Sequence, residues 1–246
     1  MYYPYFRGKQ FELITIRETA KVMAEAGFVP IIEPVKETLK GLYKTLTTVC
    51  DANGKVIVIV NPYVGDHRDN GTGITGLLTQ EFTNNAAISA GILLRDDMNL
   101  EEAYKLFEVY AAHNPIFVHA GFGDQKGLAD RLGSGLKDTR HVFIEKHAST
   151  LYRKPFTVAQ RVLVRDDFER LKNSEYANIS SEEFAELHIT YGDLGMKGFG
   201  DFLMVGDSYS EGGGPAYAVA IHLTYIDPDR DDVMYIYHFV STTNDT

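Results

Sequence analysis

The sequence predicts an α/β fold, a TIM-like (β/α) barrel that is distorted near its C-terminus and finished by a β-hairpin. Three observations lead there. Eight short apolar runs recur along the 246 residues, at 31–33, 55–61, 88–95, 116–119, 141–147, 162–165, 202–207 and 216–226. Helical patterns separate many of them, which implies parallel pairing, and roughly 250 residues suit one barrel with its chemistry at the strand C-termini. Between Asp207 and Ala216 there is only a glycine-rich loop. A parallel crossover needs a dozen or more residues, so the last strands are expected to be antiparallel.

Each element has its own signal. Leu13, Ile16, Ala20 and Met23 repeat at helical spacing and predict a helix over 10–26 that stops at Gly27. Residues 28–34 form the first clear strand, broken by Pro34. Leu39, Leu42, Leu46 and Val49 give a second helix, ended by the turn 51–54. The β-branched run 56–60 reads as a strand covered on both faces. Residues 61–76 are polar and too long for a simple connector, so they are a candidate functional loop. Asn99 with Glu102 forms a capping box before Leu100, Ala103, Phe107 and Tyr110, and Ser180 with Glu183 suggests another before a short helix ending near Thr190. Residues 217–226 and 233–240 alternate about the turn 227–232, which reads as a hairpin.

Composition narrows the class. A hydrophobic content of 44% supports a sizeable core, and no linker or repeat divides the chain, so residues 1–246 are expected to form one domain. A net charge of −10 with scattered Lys and Arg argues against nucleic acid as a partner. No apolar run approaches the roughly 20 residues of a membrane span, and the opening residues lack a signal-peptide layout. The lone Cys50 excludes an internal disulfide and reads as a small buried filler. A cytoplasmic protein is the expectation.

Candidate site residues lie at the ends of the runs. Glu33 ends an apolar strand before Pro34, and Lys9 or Arg7 from the N-terminal loop can pair with it. The same pair can equally be a salt bridge that pins the N-terminal segment across the barrel. Glu145 and His147 are two apart and are expected to share a face, and with His119 and Asp201 they make a His/carboxylate set suited to a divalent metal. Lys9, Glu33 and Glu145 are therefore the expected catalytic groups, and His119, His147 and Asp201 the expected metal ligands. Arg7, Asn61, Asp207 and Gly213 are assigned to substrate binding. Gly213 lies in the loop 206–215, whose glycines permit a phosphate on backbone N–H groups or simply a tight turn, while Glu211 opposes an anion. The G-x-G-x-x-G string at 71–76 begins too far after its strand to be a dinucleotide fingerprint. Asp66 to Asp69 reads as a lid or as solvated surface, and Tyr2, Tyr3, Tyr5 and Phe6 as packing across one barrel end or an exposed partner site.

The opening YYPYFRGKQFELITIRE, the following PIIEP, the later GFGDFLMVGD and the closing IHLTYI together resemble a family of bacterial and phage proteins called beta proteins. The matching positions are Pro4, Lys9, Glu12 and Glu33. The resemblance covers both ends of the chain. It implies a TIM-barrel-like fold without an established activity, and a phage-related or antiviral setting with a protein partner encoded nearby. A metal-dependent hydrolase acting on a phosphoester or related bond, and a non-catalytic binding or scaffold component, are the alternatives.

Overall fold

Two-sided burial decides the architecture. The computed structural model describes residues 1–211 and 218–241. Its strands are β1 (Tyr5–Phe6), β2 (Ile31–Ile32), β3 (Val56–Ile59), β4 (Ile88–Arg95), β5 (Ile116–Ala120), β6 (Arg140–Ile144), β7 (Gln160–Arg165), β8 (Ser181–Ala185), β9 (Gly198–Asp201), β10 (Ala220–Asp227) and β11 (Val233–Val240). Strands β1 to β7 and β9 form one parallel sheet in chain order, wrapped into a nearly closed barrel. Alternate residues split between two cores. Tyr5, Ile31, Ile57, Leu93, Val118, Val142 and Val164 fill the interior, while Phe6, Ile32, Val58, Leu94, Phe117, Phe143 and Leu163 face outward under the surrounding segments. Both faces are apolar, which is why these strands read as continuous runs and not as alternating ones.

The wall is covered by α1 (Gln10–Glu25), α2 (Lys40–Asp51), α3 (Thr72–Glu81), α4 (Leu100–Val109), α5 (Gln125–Leu132) and the short α6 (Leu187–Thr190). The first helix ends as expected, with Gly27 at φ +70°. The capping box of α4 is formed, Asn99 accepting from the Glu102 N–H and Glu102 from the Asn99 N–H. The polar stretch after β3 is shorter than expected, because α3 starts at Thr72. Gly71 is required there: a Cβ would lie 2.4 Å from the Val60 carbonyl. No helix among the described residues is long and apolar enough to cross a membrane.

Eight barrel strands form, but they are not the eight runs of the sequence. The strand expected at 202–207 is Gly198–Asp201, and of the run at 216–226 the part from Ala220 on lies outside the barrel. Its place in the count is taken by the two-residue β1. Closure depends on a single parallel bridge, Tyr2 with Phe199, made by Tyr3 N–H to Phe199 O (2.8 Å) and Phe199 N–H to Met1 O (3.0 Å). Glycine makes this approach possible, since a Cβ on Gly200 would sit 2.1 Å from the Tyr3 carbonyl. The hairpin β10–β11 is antiparallel as expected, and β8 joins its other side to give a three-stranded sheet in the order β10-β11-β8. Residues 181–185, expected to begin a helix, are therefore a strand, and only Leu187–Thr190 is helical.

Candidate functional site

Strand parity builds the mouth. Tyr5 and Ile31 point into the barrel, so Arg7 and Glu33, two residues further on, do so too. Glu33 is fully buried. One of its oxygens accepts the Tyr5 hydroxyl at 2.8 Å and a guanidinium N–H of Arg7, and the other accepts the Tyr63 backbone N–H at 2.8 Å. Burial, reinforced by the adjacent Glu33 carboxylate, pushes the Tyr5 hydroxyl well above its ordinary range and keeps it a donor. Burial works against the charge on Arg7, but Tyr5, Glu33 and Asp207 outweigh it and raise its pKa.

The second arm of Arg7 bonds Asp207, 2.8 Å from Oδ1. The Asp207 N–H in turn donates to Asp166 (2.8 Å). The other Asp207 oxygen lies 3.9 Å from Lys146 Nζ and 4.0 Å from His147 Nε2. The chain Glu33–Arg7–Asp207 thus spans the mouth from β2 to the loop after β9. Above it opens a cleft of about 340 Å³, lined in addition by Tyr63, Arg95, Asp96, His147 and Tyr209. Arg95 is held by Asp97 at 2.8 and 3.2 Å and stands 5.4 Å from the Tyr63 ring centre. Arg7 Nε is buried with no acceptor among the described residues.

Of the residues singled out by sequence, Arg7, Glu33, His147 and Asp207 meet in this cleft. Lys9 lies close by without reaching Glu33; its ammonium donates to the Ser210 carbonyl (2.8 Å) and sits 5.2 Å from the Tyr209 ring centre. Arg7, and not Lys9, supplies the cation beside Glu33. Asn61 does not line this cleft; its carboxamide is engaged with the Leu93 N–H (2.8 Å) and carbonyl (2.9 Å), continuing the contact of β3 with β4 beyond Ile59.

The rest of the expected set is dispersed. His119 has the parity of Phe117 and lies outside the wall, fully buried. Its ring bonds Tyr152 at 2.9 Å and His141 at 2.9 Å, and His141 bonds Thr139 at 2.8 Å. Burial, with the neighbouring His141, lowers the His119 pKa strongly, and burial takes His141 down to about 3. Glu145 and His147 do not share a strand face, because a 3₁₀ turn begins at Glu145. Glu145 instead binds Arg165 through both oxygens, at 2.5 and 3.2 Å. Asp167 stands 4.0 Å from the same guanidinium, its pKa pushed up to about 6 by burial against the opposing effect of Arg165. Asp201 has the outward parity of Phe199 and accepts the Tyr2 hydroxyl at 2.8 and 2.9 Å. Gly213 lies outside the described residues. Among the described residues no three His, Cys, Asp or Glu side chains are grouped to hold a metal ion.

Sequence reasoning missed Tyr5, Tyr63, Arg95 and Tyr209 as mouth residues. A signal for two of them exists. Tyr5 precedes Arg7 by one inward step, and Leu93 precedes Arg95 as Ile31 precedes Glu33. Comparison of the chain with protein-family models, curated proteins and solved structures finds no match.

Proposed function

We propose that the mouth of the barrel binds a small polar molecule, with Arg95, His147 and Tyr209 presented to it and Glu33–Arg7–Asp207 as the fixed frame beneath. One observation carries this reading: three charged side chains and the Tyr5 hydroxyl are held together at the C-terminal end of the strands, where barrel proteins carry their chemistry. Buried ion pairs are weak devices for stability, because desolvation offsets most of the Coulombic gain. A frame of this kind is better accounted for by what it positions. His147, within 4.0 Å of an Asp207 oxygen, gives the mouth a ring that can donate or accept a hydrogen bond to the ligand.

The resemblance to beta proteins supplies the setting, a phage-related or antiviral process with a protein partner encoded nearby. A metal-dependent hydrolase has no grouped ligands to rest on among the described residues.

The test is a thermal-shift screen against small phosphorylated, carboxylated and hydroxylated compounds. A ligand at 100 times its Kd adds about 2.7 kcal/mol, which raises the Tm of a domain of this size by about 5–10 °C. Arg95→Ala and His147→Ala are expected to abolish that shift while leaving the unliganded Tm nearly unchanged. A panel without any shift, or a shift that survives both substitutions, rejects the mouth as the site.

A further inference from the structure

The C-terminal sheet is amphipathic in the wrong sense for a free surface. Its inner face carries His222 and His238, ring nitrogens 2.7 Å apart, with His238 bonded to Glu182 at 3.1 Å. Tyr176 packs on both rings, at 4.6 and 4.7 Å. The outer face carries Ile221, Leu223 and Tyr225 of β10, directly opposite Phe239, Tyr237 and Tyr235 of β11. Ile221 is 64% exposed, Leu223 59%, Phe239 55% and Tyr237 41%. The aromatic rings form a ladder, with Tyr225 5.4 Å from Tyr237 and Tyr237 6.0 Å from Phe239. A half-buried sheet ordinarily turns its apolar side to the core and its polar side to water. Here the covered face mixes the two histidines with the buried Ile236, while the face of β10 and β11 turned to water is apolar and bare.

We infer that this outer face is the contact between two copies of the chain, packed sheet on sheet about a two-fold axis. Area is the first argument. Side chains of about 150–250 Å² at these exposures amount to roughly 500 Å² of apolar surface per copy, the upper range for a single patch on a monomer. Two such faces with their rims bury over about 1,000 Å², the size at which an interface becomes specific. Charge selects the occupant and its direction. The six facing side chains carry no charge. The charges at their edge are of both signs, Glu183 opposite Tyr235 and Arg230 4.9 Å from the Tyr235 ring centre. The face is therefore not built for a strongly charged partner, while the chain itself is acidic at −10. The turn beside the patch holds Asp227, Asp229, Asp231 and Asp232 against one Arg230. Packing with the strands of the two copies running the same way would bring these turns together. Antiparallel packing puts them at opposite ends of the interface, roughly 27 Å apart for eight residues of strand. Leu223 and Tyr237 then sit at the centre, each near its own copy across the axis.

The sheet edge offers a different way to pair. Val219 and Ser241 are backbone-bonded, so by alternation the N–H groups of Ala220, His222 and Thr224 point to the open side of β10. Joining two copies there would leave the apolar faces bare and double their extent, so the face is the contact.

Sedimentation velocity and light scattering of the full chain test this. The expected result at high micromolar concentration is a dimer of twice 27.5 kDa, falling to a monomer in Leu223→Lys and in the milder Tyr237→Ser, both keeping the Tm that the wild-type chain shows when diluted to a monomer. Thr224→Pro, which blocks only the edge, is expected to remain dimeric. In Cys50→Ser, Leu223→Cys, a short bis-maleimide is expected to link two chains covalently. This readout is independent of how the lysine variant folds. A wild-type monomer at every concentration, a dimer indifferent to Leu223 and Tyr237, or a folded Thr224→Pro monomer overturns the proposal.

Discussion

Arg7 is the counter-charge for a carboxylate with no access to water, so its removal is expected to act through Glu33. Arg7→Met should cost about 3–5 kcal/mol, the usual penalty for leaving one buried charge unpaired. Adding Glu33→Gln should recover part of that loss, and urea midpoints for the two single variants and the double variant measure the coupling. The His119–His141 pair gives a second expectation. His141 stays neutral in the fold down to about pH 3, against an ordinary value of 6.5. Between those limits the unfolded chain binds more protons, so stability falls as pH drops, by about 1.4 kcal/mol per pH unit for this residue. His119, lowered in the same direction, steepens the fall. Replacing both by Phe should flatten the slope below pH 6.5 in pH-dependent urea melts, even if it changes stability at neutral pH. The same two residues show why the site was only half legible. Glu33 could be placed at the mouth from its position at a strand end, and Arg7, with Lys9, as a partner reaching it from the N-terminal loop. His119, Glu145 and Asp201 also end strands but carry outward parity. In strands apolar on both faces, hydrophobicity does not reveal which parity is inward.

At the scale of elements, the seam is the most constrained feature. Gly200→Ala would drive a methyl into the Tyr3 carbonyl, and the backbone shift needed to relieve it should cost about 3 kcal/mol. The expected signature is faster hydrogen exchange at the amides of Tyr3 and Phe199, with the amides of β4 and β5 unaffected. The β-branched β3, the eight-residue apolar β4 and the capped α4 were legible because their local signals agree with their tertiary setting. The seam strands were not. β1 is two residues long inside an aromatic cluster that reads as packing, and half of β9 is glycine. Residues 181–185 carry a helix-capping pattern, Ser180 with Glu183, yet they pair with Met234 to Tyr237. Cross-strand packing against β11 overrides a local preference that is weak to begin with.

Across the whole molecule, the seam and the mouth are one system. The seam is closed by two backbone hydrogen bonds, whereas Val29, Ile31 and Glu33 each donate a backbone bond to the N-terminal segment on its other side. The Arg7–Asp207 pair spans the same gap between β1 and the loop after β9. A ligand in the cleft is therefore expected to slow exchange of the Tyr3 and Phe199 amides more than any in β3 to β6, which a hydrogen-exchange comparison with and without ligand would show. The arrangement also fixes an order of failure. Under load across the gap, this ring parts between β1 and β9, where two backbone bonds and the side-chain bonds of Tyr2 to Asp201 and Arg7 to Asp207 hold it. The N-terminal peptide, kept by β2, takes Tyr5 and Arg7 with it. The mouth loses its Arg7–Asp207 link while all eight strands still keep a paired neighbour, so heat or force should silence the protein before it unravels.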